Sequence, residues 1–69
     1  MTKREYKKVI NRIIDTGFIN PDEIRTADAG YILELLVDTA AADAPTPTDA
    51  DRDRLATAAY EIINEIKNK

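Results

Sequence analysis

Apolar residues recur at helical spacing from the start of the chain. Tyr6, Val9, Ile10, Ile13 and Ile14 follow i, i+3, i+4, i+7 and i+8, the stripe of one helix face. Thr2 and Glu5 precede that run at capping-box spacing, where each side chain satisfies a free backbone N–H of the other. Gly17 ends it, because glycine accepts the left-handed conformation that closes many helices. The pattern predicts a first helix over about residues 3–16, with Phe18 folding back onto Ile13.

Asn20-Pro21-Asp22-Glu23 is a second start signal. Asn caps, and Pro suits the first helical position. Two continuations fit: one helix from Pro21 to about Asp43, or a single turn over 21–25 followed by a fresh helix capped by Thr26. Gly30 costs an unbroken helix about 1 kcal/mol relative to alanine, so the second is adopted, with a long helix near 27–43. Pro45 and Pro47 then make a short stiff connector. Thr46 or Thr48 caps a last helix near 48–67, and Asp49 and Asp51 in its first turn suit the positive end of the helix dipole. Leu55, Ala58, Ala59, Ile62, Ile63 and Ile66 form its apolar face, and Glu65 and Lys69 stand at a favourable i, i+4 spacing.

Three amphipathic helices with short connections predict an all-α fold: a small antiparallel three-helix bundle, with a short extra helical turn between the first and second long helices, in one domain over 1–69. The expected core draws on Tyr6, Val9, Ile10, Ile13, Ile14 and Phe18 from the first segment, then Ile24, Ile32, Leu35 and Leu36. The last helix adds Leu55, Ala59, Ile62, Ile63 and Ile66.

Composition narrows function mainly by exclusion. With 43% hydrophobic and 33% charged residues the chain is globular in type. It has no Cys, so no disulfide or thiolate–zinc site, and no His, the usual general base and commonest metal ligand. No apolar run approaches the roughly 20 residues of a membrane span, and the start lacks a signal-peptide core. The expectation is a cytoplasmic protein without cofactor or metal.

Charge is unevenly placed around a net of −3. Lys3, Arg4, Lys7, Lys8 and Arg12 outweigh Glu5 in residues 1–12, whereas residues 13–53 carry ten acids against Arg25 and Arg52. The basic end gathers on the first helix, where Arg4, Lys8, Asn11 and Arg12, with Lys7 beside them, lie opposite the apolar face. Such residues can contact phosphates and bases. The acidic balance of the domain argues the other way, as does the second helix, which would present Glu34, Asp38 and Asp43 to phosphates in a helix-turn-helix docking. A solvated face is the plainer reading.

Asp49, Asp51 and Asp53 open like a calcium loop, but Arg54 takes the glycine position and Tyr60 the bidentate glutamate position. They are read as dipole-complementing acids. No nucleophile–base set or phosphate-binding fingerprint occurs, and so short a chain has little room for a cleft, so an enzyme is not expected.

The second helix carries the strongest functional clue. Tyr31, Ile32, Leu33, Leu35, Leu36, Val37 and Ala40 sweep about 240° of arc, more than two helical neighbours cover. Only Glu34 and Asp38 mark a wet edge. Tyr60 stands at the rim of the last helix's apolar face. Either a loop covers the excess, or it is a contact surface. The reading is a small protein-binding module, an inhibitor or regulator of the type of a phage anti-defence protein. Its site is Tyr31, Leu33, Glu34, Val37, Asp38 and Tyr60, and its partner another protein, basic or nucleic-acid-binding. The alternatives are a nucleic-acid-binding module using the first helix and a structural homodimer joined through Leu33 and Val37.

Overall fold

In a computed structural model, which describes residues 1–68, the chain is all-helical. Four helices follow in order: α1 (Lys3–Asp15), α2 (Pro21–Thr26), α3 (Ala29–Asp43) and α4 (Asp49–Lys67). α4 packs against each of the other three, and α1 also packs on α3. The amino group of Met1 lies near Asp51 at the start of α4, and Lys7 reaches Glu65 near its end, so α1 and α4 run in the same direction. α3 runs against both. Its start follows Ala27, whose carbonyl accepts from Lys67 at the end of α4, and Pro45, just past its end, accepts from Tyr6 at the start of α1.

Local chemistry sets each boundary. The Thr2–Glu5 capping box forms as expected, with Glu5 N–H on the Thr2 hydroxyl at 3.2 Å and Thr2 N–H on the Glu5 carboxylate at 2.9 Å. Asn20 caps α2 through the Asp22 N–H at 2.8 Å, with Pro21 at the first helical position. α3 starts two residues later than its pattern predicts. Asp28, not Thr26, is the cap: its carboxylate accepts from the Tyr31 N–H, while the Thr26 hydroxyl donates back to the Asp22 carbonyl within α2. Aspartate at the cap also places a negative charge on the α3 dipole, which a threonine does not. Thr48 caps α4, and Thr46 does not. Glu65 pairs with Lys7 on α1. Its expected pairing with Lys69 lies outside the described residues.

The turn after α1 departs from expectation in an instructive way. Gly17 does take the left-handed conformation, at φ 84°, and its N–H reaches the Ile14 carbonyl. The Ile13 carbonyl accepts the Thr16 hydroxyl instead of a backbone donor. Phe18 is 61% exposed rather than packed on Ile13, and Ile19 turns into the core in its place. In an Ile-rich interior, the branched chain one residue on fills the space that Phe18 was expected to occupy. A Cβ on Gly17 would meet nothing, so its constraint is the backbone alone. Gly17→Ala is therefore expected to cost about 1 kcal/mol, read as a modest fall in the thermal midpoint with unchanged helix content.

The core otherwise follows the predicted stripes. Tyr6, Ile10, Ile24, Leu36 and Leu55 are fully buried, with Ile13, Ile32, Ile62 and Ile63 beside them. Val9, Ile14, Leu35 and Ile66, expected inside, are half-buried at its margin. Ala40, Ala44, Ala58 and Ala59 are buried and let the helices approach closely. Tyr6 is buried among them, with its hydroxyl donating to the Pro45 carbonyl at 2.9 Å, which ties α1 to the prolyl connector. Burial and the nearby Asp51 carboxylate push its phenol upward.

Candidate functional site

The α3 stripe of Ile32, Leu36 and Ala40 is buried at i, i+4 and i+8, and this stripe divides the helix surface into two flanks. On one flank Leu33, Val37 and Ala41 are half-buried and packed on the core. On the other, Tyr31, Glu34, Leu35 and Asp38 stand at i, i+3, i+4 and i+7 and line a shallow groove of about 260 Å³. At 100° per residue, Tyr31 and Leu33 point roughly 160° apart around the helix. The six residues expected to act together are thus divided. Tyr31, Glu34 and Asp38 share one face, with Leu35 as its half-buried floor. Leu33 and Val37 are not the open patch that the 240° arc implied, because the core takes up much of their surface. Tyr60, on α4, is 53% exposed and lies outside the groove.

Within the groove Tyr31 is 63% exposed. Glu34 and Asp38 are exposed, and neither takes part in an ion pair or side-chain hydrogen bond among the described residues. An aromatic ring, an aliphatic floor and two free carboxylates one turn apart make a surface suited to a cationic side chain. A ring face attracts a cation, and a carboxylate can take a guanidinium in bidentate fashion. Leu35 was assigned to the core by the sequence pattern. Its position between Tyr31 and the buried Ile32 on the wheel, about 40° from Tyr31, is the signal that it also borders the groove.

The basic residues of α1 also divide. Arg4, Lys8, Asn11 and Arg12 are exposed on the outer face. Lys7 does not join them. It turns towards α4, where its ammonium meets Glu61 at 3.5 Å and Glu65 at 3.2 Å. Lys3 closes the same cluster, 2.8 Å from Glu61. The hydrogen bond from Lys3 holds the Glu61 carboxyl below its ordinary range, against the opposing effect of burial and with Lys7 assisting. Lys7 is in turn held up, first by its hydrogen bond to Glu65. Two of the five basic side chains in residues 1–12 are therefore spent on fastening α1 to α4.

The acids that imitate a calcium loop are built into the α4 start. Asp51 is 8% exposed. Its carboxylate accepts the Thr48 hydroxyl at 2.9 Å and Arg54 at 3.0 Å, with the Met1 ammonium at 3.6 Å. Among the described residues no three candidate ligands converge on one point. The Thr48 hydroxyl is the main cause that lowers the Asp51 carboxyl, burial opposes it, and Met1 and Arg54 add to the lowering. A carboxyl lowered by folding stabilises the fold above its unfolded pKa of about 4 and loses that contribution as pH falls through the lowered folded value. Glu5 and Glu61 are shifted in the same direction. The thermal midpoint is therefore expected to fall below about pH 4. Asp51→Asn should flatten that fall while lowering the midpoint at neutral pH. A variant with the wild-type acid slope would remove Asp51 from this account.

The described residues span 31 × 20 × 18 Å, about two helix diameters in the thinner directions. No helix among the described residues is long and apolar enough to cross a membrane. No protein-family model matches the chain, and neither does any curated protein or solved structure compared with it.

Proposed function

We propose that the chain is a small non-enzymatic protein-binding module, an inhibitor or regulator whose contact surface is the Tyr31–Glu34–Leu35–Asp38 face of α3. The single observation that carries this reading is the exposed Tyr31 ring beside two carboxylates that the fold leaves without partners. A half-exposed aromatic flanked by unused charge is the composition of an interface anchor rather than of a solvated face. The occupant that fits is a basic segment of another protein, with an Arg or Lys over the Tyr31 ring and against Glu34 or Asp38. A regulator of a nucleic-acid-binding protein works in this way when its acids occupy the place of phosphates.

The frame that holds this face is read as an up-down-up bundle of α1, α3 and α4, with α2 as a one-turn brace. Lys67 supports that role for α2, since its ammonium caps the Arg25 and Ala27 carbonyls at 3.3 and 3.1 Å. A regulator of this kind is expected in the cytoplasm. Capture from nuclease-treated lysate of the native host tests the reading. Wild type should retain a protein with a basic contact surface, and Tyr31→Ala with Asp38→Lys should lose it. Equal retention by that variant would discard the α3 face.

The exposed Arg4, Lys8, Asn11 and Arg12 support a second reading, a nucleic-acid contact on α1. It is weaker, because Lys7 is committed to α4 and Asp15 stands on the same outer face.

A further inference from the structure

Two ridges of opposite charge are left without partners on neighbouring helices. Arg4, Lys8 and Arg12 on α1 make none of the ion pairs among the described residues, and neither do Glu34 and Asp38 on α3. Both ridges advance four residues per step, about 6 Å, so their spacings match. α1 and α3 run antiparallel, and the Tyr6–Pro45 bond sets the start of α1 level with the end of α3. Their heights then correspond about their midpoints, Val9 and Leu36. Lys8 stands near the height of Asp38, and Arg12 near that of Glu34.

We propose that a second copy of this chain covers the α3 groove. The dimer is twofold, its axis parallel to the helices, and α1 of each copy lies along α3 of the other. Rotation about such an axis preserves both height and direction. The antiparallel relation of α1 and α3 within one chain is therefore reproduced between chains, and Lys8 faces Asp38 while Arg12 faces Glu34. Symmetry makes each pair twice, in an isologous contact of the commonest kind. The methylene stems of Lys8 and Arg12 cover Leu35 and Tyr31, so apolar surface is buried with the charges. The net −3 of each copy opposes association only weakly, because salt screens charge over about 8 Å at physiological strength. This goes beyond the proposed function and does not depend on it. If both hold, the second copy keeps the α3 face covered until a basic partner displaces it.

Sedimentation of the full chain at micromolar concentration tests the dimer. The wild type should approach twice the 7.7 kDa chain mass and shift towards the monomer as salt rises. Lys8→Glu with Arg12→Glu, and separately Glu34→Lys with Asp38→Lys, should each weaken association by more than about tenfold through like-charge contact. All four side chains are exposed, so both variants should keep the wild-type helix signal. An equimolar mixture of the two variants should restore the dimer. One of its two contacts then carries the native signs, and the other carries both signs reversed. A monomeric wild type overturns the proposal, as does a dimer that survives both reversals or a mixture that stays monomeric. Any of these leaves capture of a host protein through Tyr31 untouched, and loss of that capture with the dimer intact removes only the functional reading.

Discussion

Leu36→Ala is expected to leave the chain largely unfolded at 25 °C. Leu36 is fully buried at the middle of α3, on the stripe it shares with Ile32 and Ala40. Removing its isobutyl group forfeits transfer energy and leaves a cavity, a combined cost of about 2–5 kcal/mol. A core in a domain of this size rarely supplies more than about 3–5 kcal/mol. The two ranges overlap, so one truncation consumes the margin. Leu36→Met conserves volume and should cost less than about 1.5 kcal/mol. Phe18→Ser should change stability by no more than about 0.5 kcal/mol, because most of the ring is already in water. Urea titrations of the three variants separate these outcomes. A folded Leu36→Ala, or a Phe18→Ser variant as damaged as Leu36→Ala, would contradict the assignment of inside and outside.

Tyr31→Ala is expected to weaken partner binding by about 2 kcal/mol or more, roughly thirtyfold. The ring is the aromatic member of the groove lining and the natural stacking platform for a cation. Its backbone N–H is what Asp28 caps, so α3 keeps its start when the side chain is removed. Asp38→Lys acts differently. It reverses a charge at the groove rim, and its effect should fall mainly on the association rate and its salt dependence. Titration calorimetry with the captured partner, together with helix content by circular dichroism, distinguishes lost contact from lost fold. A Tyr31→Ala variant that binds within a factor of two would place the anchor elsewhere.

How far the sequence revealed these features depended on the range of the interactions involved. The Thr2–Glu5 box, the Asn20-Pro21 start and Gly17 are local chemistry, settled within four residues, and were legible, whereas the α4 cap was narrowed only to Thr46 or Thr48. The α3 start was misplaced because Thr26 and Asp28 are both good caps, and the sequence offers no means of choosing between two such signals two residues apart. Phe18 stays outside while Ile19 turns in, because the choice between adjacent apolar residues belongs to the shape of the space they border, not to hydrophobicity. Lys7 looked like its neighbours Arg4 and Lys8 until α4 placed Glu61 and Glu65 opposite it. The excess apolar arc of α3 was legible as an excess. Its division into a core-packed Leu33–Val37 flank and an open Tyr31–Asp38 flank required knowing which neighbours α3 has.

Photocrosslinking from position 31 tests the central claim most directly. A benzoylphenylalanine in place of Tyr31 retains an aromatic ring where the groove needs one, and Thr57, exposed on α4, is the control position. Irradiation in the native host should give, from position 31 and not from position 57, a discrete crosslinked band distinct in mass from a crosslinked pair of this chain, and Asp38→Lys should diminish that band. Equal labelling from both positions, or labelling from position 57 alone, would contradict α3 as the protein-binding face.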